Sequence, residues 1–205
     1  MPIITISRLY GSGGSEVAEK TAQILGWELL DNQVVDEVAV RLGLSIAEVK
    51  AREERAPSLA ERLASAMALG SQEWTPLGST KRPPDEQMIE VTKRIVDEAI
   101  SRGPVVIVGR GAQAMLSERA DALHVFCYAP RKALLARCMQ RDKLSAEDAA
   151  RRVDETNRRR KEWVKLNWNR EWSAHENYHL SVNTGWLGID GAAELIAQAA
   201  KQRLG

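Results

Sequence analysis

Apolar and polar positions along this chain fall into blocks that switch between a period of two and a period near 3.6. Ile3 to Ile6 is a short apolar, β-branched run, the mark of a buried strand. It breaks into Gly11-Ser12-Gly13-Gly14, and Val17, Ala18, Thr21, Ala22 and Leu25 then recur at helical spacing. Gly26-Trp27-Glu28-Leu29-Leu30-Asp31 reads as a helix stop, a short strand and an acidic residue at the strand's carboxyl end. Val34–Leu42 follows as a helix that Asp31 can cap. From Ser45 to Gly70 the chain is helical and polar on one side, with capping boxes at Ser45…Glu48 and Ser58…Glu61 on either side of Pro57. Pro76, Gly78, Pro83 and Pro84 then make a loop.

Asp85–Arg102 carries Met88, Val91, Ile95 and Ala99 on one helical stripe and stops at Gly103-Pro104. Val105–Val108 is apolar on both faces, as a central parallel strand should be, and runs into Gly109-Arg110-Gly111. Leu123–Tyr128 is a fourth strand, in which His124 reads as a core or edge histidine. Arg131–Arg141 is a helix with Leu134, Leu135, Cys138 and Met139 inward, and Ser145 caps another that runs on through Arg170. Tyr178–Val182 is a fifth strand, Asn183-Thr184-Gly185 a turn, and Asp190 a candidate cap for the terminal helix. Strands that alternate with helices predict an α/β fold: a five-stranded parallel sheet with helices on both faces, in three layers. The insertion at 45–84 makes either a helical lobe over an acceptor site or an oligomer interface, and its residues do not separate the two.

Length and charge narrow the class. At 205 residues the chain is one domain with room for a full core. Its 29 basic and 28 acidic residues give no global pull toward nucleic acid or a membrane. No apolar run approaches the roughly 20 residues of a spanning helix, and the chain opens on a strand rather than a signal peptide, so a cytoplasmic protein is expected. Cys127 and Cys138 lack metal-ligand spacing and read as small core residues. Of six tryptophans, Trp163, Trp168 and Trp172 crowd one basic segment, while Trp74 and Trp186 would suit a homodimer contact.

The candidate chemistry sits at two places. Strand, glycine loop and helix is an arrangement that binds phosphate, because glycine lets the backbone close on an anion and the first-turn N–H groups point at it. Laid on G-x-x-x-x-G-K-[ST], the sequence gives Arg8, Gly13, Gly14 and Ser15 at the four specified positions. The cradle Gly11, Ser12, Gly13, Gly14, Ser15 is present, and so is a Ser15 hydroxyl for Mg²⁺; the lysine is not. A plain tight turn is the other reading. Arg110, between two glycines at a strand's carboxyl end, is a ligand contact or a structural ion pair. Asp31, at a neighbouring strand end, is a ligand contact, a cap or both. Arg158-Arg159-Arg160 wraps most of a helix circumference, so one of the three should turn inward. The segment 151–174 is a solvated face, a lid, or a strip that stacks and holds single-stranded nucleic acid.

These residues together resemble the cytidylate kinase-like family, a branch of the nucleoside monophosphate kinases. The resemblance rests on Ile4-Thr5-Ile6-Ser7-Arg8, Tyr10-Gly11-Ser12-Gly13-Gly14, Asp31, Val106-Ile107-Val108-Gly109-Arg110-Gly111-Ala112, Val125-Phe126, Ala129-Pro130, Asn183-Thr184 and the terminal helix. It covers nearly the whole chain. It implies a P-loop kinase-type sandwich and transfer of the ATP γ-phosphoryl group to CMP, dCMP or a similar acceptor with Mg²⁺. It also implies that Arg110 and Asp31 serve the acceptor and that lid arginines, Arg159 and Arg160, neutralise the moving group. In this branch the lysine is typically absent, which leaves Arg8, Arg159 or Arg160 to cover the β/γ bridge.

Two positions depart from the family pattern. Asp-x-x-Arg ahead of an aromatic becomes Asn157-Arg158-Arg159-Arg160 ahead of Trp163, and Tyr-Asp-Leu becomes Tyr178-His179-Leu180. Each change removes a carboxylate. A nucleotide-binding regulatory protein with little phosphoryl transfer is therefore the alternative to a kinase.

Overall fold

A computed structural model describes residues 1–31, 41, 43 and 84–205. The expected helices at 34–42 and 45–70, the loop after them and Trp74 lie outside the described residues, Arg41 and Gly43 excepted.

Five parallel strands form one sheet in the order β2-β3-β1-β4-β5: β1 (Ile3–Arg8), β2 (Glu28–Leu30), β3 (Val105–Val108), β4 (Ala122–Tyr128) and β5 (Leu180–Asn183). The first strand is central, with Ile4 opposite Val106 on one side and Leu123 on the other. The pleat sends alternate residues to opposite faces. Ile3, Val105 and Ile107 pack with Met88, Ile95, Val96 and Ala99 of α2 (Pro84–Arg102). Ile4, Ile6, Val106, Val108 and Val125 pack instead with Val17, Ala18 and Ala22 of α1 (Gly14–Leu25) and Ala192, Ala193 and Ile196 of α6 (Thr184–Leu204). The result is the expected three-layer sandwich.

A short α3 (Ala112–Met115) follows β3. Beyond the edge of the sandwich, α4 (Arg131–Asp142) and α5 (Ala146–Trp168) pack through Leu134, Cys138, Ala149 and Val153. Both cysteines are buried and free.

Three local expectations are corrected. The Asn183-Thr184-Gly185 turn is the first turn of α6, because Asn183 Oδ1 accepts the Gly185 N–H at 3.1 Å and caps it. Gly188 interrupts that helix, and Asp190, beyond the break, pairs with Lys20 of α1 rather than capping. The basic helix ends at Trp168, not Arg170, since Asn169 takes a left-handed conformation that stops it.

The buried His124 ring packs on His179, ring centroids 5.1 Å apart, and its Nδ1 lies 2.7 Å from Thr5 Oγ1. Burial, with the charges of His179 and Arg170, pushes the His124 pKa down to about 4. The unfolded chain, with an ordinary histidine near 6.5, therefore takes up this proton first as pH falls. Stability present at neutral pH is lost as pH drops from 6.5 toward 4. Denaturant melts should show a loss of about 2 kcal/mol between pH 8 and pH 5 from this group. In His124→Asn that part of the pH slope should vanish, whatever its overall stability.

Candidate functional site

The site lies at the carboxyl ends of β1, β3 and β4, where open α/β sheets bind ligands. Gly11 and Gly13 both hold left-handed backbone, with φ of 81° and 77°. Neither has room for a side chain. A Cβ on Gly11 would sit 2.6 Å from the Leu134 carbonyl oxygen, and one on Gly13 would sit 2.6 Å from Arg137 Nη1. The loop thus closes tightly and delivers the chain to α1, whose first turn carries no side-chain cap. Ser12 Oγ donates to the Leu9 carbonyl at 2.8 Å, and Thr184 Oγ1 donates to the Ser12 carbonyl at 2.6 Å. Ser15 is half-buried on the first turn of α1.

Beside the loop opens a cleft of about 690 Å³, within the range of small-molecule sites. Gly11 and Ser12 line it together with Thr184, Gly185 and Gly188 from the start of α6, and α4 supplies Ala133, Ala136, Arg137, Gln140 and Arg141. Arg137 pairs with Glu16 at 2.8 Å across Gly13. Arg141 pairs with Asp142 at 2.7 Å and holds that carboxyl well below the usual range. Neither arginine stands out in the sequence. Their spacing of four, which puts them on one flank of the helix, is the signal, and an ordinary solvated helix face gives the same one.

The missing lysine has a steric explanation. A Cβ on Gly14 would lie 2.4 Å from Arg8 Cβ and 2.8 Å from its Cγ. The Arg8 side chain therefore fills the space a larger residue at position 14 would need. Its guanidinium extends to β3, where a Cβ on Gly109 would meet Arg8 Nη1 at 2.0 Å. Burial lowers the Arg8 pKa and Asp31 counteracts it; arginine remains charged all the same.

Gly109, Arg110 and Gly111 form a left-handed run with φ of 69°, 56° and 66°. For Arg110 this is a strained conformation of order 1–2 kcal/mol. The second glycine also has a tenant: a Cβ on Gly111 would lie 2.2 Å from the Trp168 ring at the end of α5. Gly-Arg-Gly is thus flanked by Arg8 on one side and Trp168 on the other.

Of the three successive arginines on α5, Arg160 turns inward and donates from Nη1 to the Arg8 carbonyl at 2.7 Å. Arg158 pairs with Glu162 at 2.9 Å on the surface, and Arg159 approaches Glu155 at 3.7 Å. The structure brings together Arg8, Gly11–Ser15, Arg160 and, through its charge on Arg8, Asp31.

Residues 3–185 match the cytidylate kinase-like family. This chain belongs to that family. Among solved structures, an uncharacterized protein from Eubacterium ventriosum superposes with a TM-score of 0.72 at 20% identity, covering 99% of this chain and 100% of that one. A Thermus thermophilus protein does so at 0.52 and 21% identity, covering 98% and 97%. Shikimate kinase from Bacteroides thetaiotaomicron gives 0.52 at 10% identity, covering 98% of each chain. These likenesses show a shared P-loop kinase fold. No curated protein matches the sequence. Among the described residues no helix is long and apolar enough to cross a membrane, and no group of three His, Cys, Asp or Glu is placed to hold a metal ion.

Proposed function

We propose that this cytidylate kinase-like chain transfers the γ-phosphoryl group of ATP to a nucleoside monophosphate, CMP or dCMP in the simplest case. The observation that carries this reading is the cleft that opens beside the glycine loop and is lined by Arg137 and Arg141. On this reading the Gly11–Ser15 amides hold the donor phosphates, and the nucleoside extends between α4 and Gly185–Gly188. An oxygen of the acceptor phosphate attacks the γ-phosphorus, the bond to the ADP oxygen breaks, and a nucleoside diphosphate and ADP leave. Both reacting oxygens are anionic, so the protein's work is positioning and neutralisation of charge.

Arg8 is the proposed substitute for the lysine. Arg110 and Asp31 are proposed for the acceptor, and Arg159, whose exposed pair with Glu155 holds it weakly, for the moving group. Mg²⁺ would be held by the Ser15 hydroxyl, half-buried on the first turn of α1, with the nucleotide's own phosphates. When bound, the ion would supply charge neutralisation for the phosphates.

A coupled ADP-release assay with a panel of nucleoside monophosphates tests the proposal. Turnover with CMP or dCMP above the no-acceptor background is the expected result. Asn157 and His179, each standing where the family tends to carry a carboxylate, favour the second reading, a regulatory nucleotide binder. ATP binding without acceptor-dependent ADP release would select it.

A further inference from the structure

Tyr10 sits where three elements meet, and the phosphate chemistry above gives it no role of its own. Its backbone N–H donates to Asn157 Oδ1 at 2.8 Å, while the Arg8 carbonyl accepts from Arg160 Nη1 at 2.7 Å. In an extended chain the carbonyl of one residue and the N–H two residues on lie on the same side, as a neighbouring strand would read them. Asn157 and Arg160, three apart on one face of α5, take both. On the other side, the Leu9 N–H donates to the Cys127 carbonyl at 3.0 Å. The segment that leads into the glycine loop is thus held between β4 and side chains of α5.

The Tyr10 side chain continues the connection. Its hydroxyl donates to Asp142 Oδ2 at 2.8 Å, and burial together with that bond raises its pKa, which keeps it a donor. The guanidinium carbon of Arg141 lies 4.8 Å from the ring centre and that of Arg160 5.8 Å. Arg141 lines the cleft and Arg160 belongs to α5. One aromatic ring therefore touches both a cleft-lining arginine and α5.

We infer that α5 is a clamp on the phosphate loop, with Asn157 and Arg160 as positioning residues. Docking of α5 sets the shape of the loop, and a nucleotide phosphate on the loop favours α5 in its docked place. The inference rests on the nucleotide reading of the cleft and adds the device that regulates it. Coupling of this kind is reciprocal: what α5 docking adds to ATP affinity, ATP adds to docking.

The test compares the full chain with Asn157→Leu, Asn157→Asp and Arg160→Met. Hydrogen exchange is followed at the Tyr10–Gly13 amides without nucleotide, ATP affinity is measured by calorimetry, and global stability is measured by thermal melting. Asn157→Leu and Arg160→Met should speed exchange at the loop and weaken ATP about tenfold, with global stability little changed. Asn157→Asp keeps an acceptor for the Tyr10 N–H and should restore protection and affinity to within about twofold. A mere helix anchor would not give that rescue together with a loop-specific loss. Unchanged exchange in both disruptive variants, or faster exchange with unchanged ATP affinity, overturns the clamp. If the wild type binds no ATP, the nucleotide reading and the coupling both fall. Exchange alone would then say whether α5 supports the loop.

Discussion

Arg8→Met should lower the rate of phosphoryl transfer by about a thousandfold while weakening ATP by no more than about tenfold. The asymmetry follows from geometry. In the proposed reading the loop amides and α1 hold the donor phosphates in the ground state, and both survive the substitution. What is lost is a fixed cation at the carboxyl ends of β1 and β3, next to where the γ-phosphoryl group would move. The guanidinium is already packed against Gly109 and needs no rearrangement to act, which is the condition under which such charge is worth most. Methionine keeps the aliphatic packing on Gly14, so thermal stability should stay close to wild type. Single-turnover rates and ATP affinity measured on the same variant check the split. Equal losses in both would make Arg8 a binding residue, and no loss in either would remove it from the mechanism.

Gly14→Lys, which restores the lysine of the conventional loop, should lower activity rather than raise it. Even a Cβ at this position lies 2.4 Å from Arg8 Cβ, well inside contact distance. Either α1 moves off the strand end or Arg8 is expelled from its slot beside Gly109. In both cases the loop loses its shape or its cation. A loss of at least about a hundredfold in turnover is expected. The double variant Arg8→Ala with Gly14→Lys vacates the slot for the lysine, so it should recover part of that loss, and paired turnover measurements on the two variants check this. Glycine and arginine here are two halves of one arrangement.

The sheet was largely legible in the sequence, and the pairing of side chains across it was not. Ile3–Ile6 and Val105–Val108 are apolar at every position or nearly so, and that follows from burial on both faces. The glycine loop was legible because Gly11 and Gly13 fall between an apolar strand and the start of helical spacing. The space around those glycines was not. Nothing near Gly14 in the sequence says that Arg8 occupies its missing side chain, and nothing near Gly111 points to Trp168, 57 positions away (168 minus 111). Such complementarity joins residues distant in the chain and leaves no local period.

Asn157 makes the same point from the other direction. Read alone, it is a carboxylate lost from a family pattern. In the fold its amide oxygen still accepts the Tyr10 N–H at 2.8 Å, so the hydrogen bond needs an acceptor and not a charge. Arg160 was legible in part, since three successive arginines must send one inward, but only the fold shows that the Arg8 carbonyl receives it. The break at Gly188 escaped because Asn183-Thr184-Gly185 has the composition of a turn and, capped by Asn183, starts a helix.

Gly11–Ser15 and the adjoining cleft are proposed to bind a nucleoside triphosphate without a lysine. Calorimetric titration of the wild-type chain with ATP and Mg²⁺, alongside Gly13→Val, tests it most directly. A Cβ at position 13 would collide with Ile189 Cδ1 at 2.4 Å, on backbone that valine strongly disfavours. Saturable one-to-one binding by the wild type is expected, with a loss of about a hundredfold or more in the variant. Absence of binding by the wild type, or equal affinity in the two proteins, would contradict it.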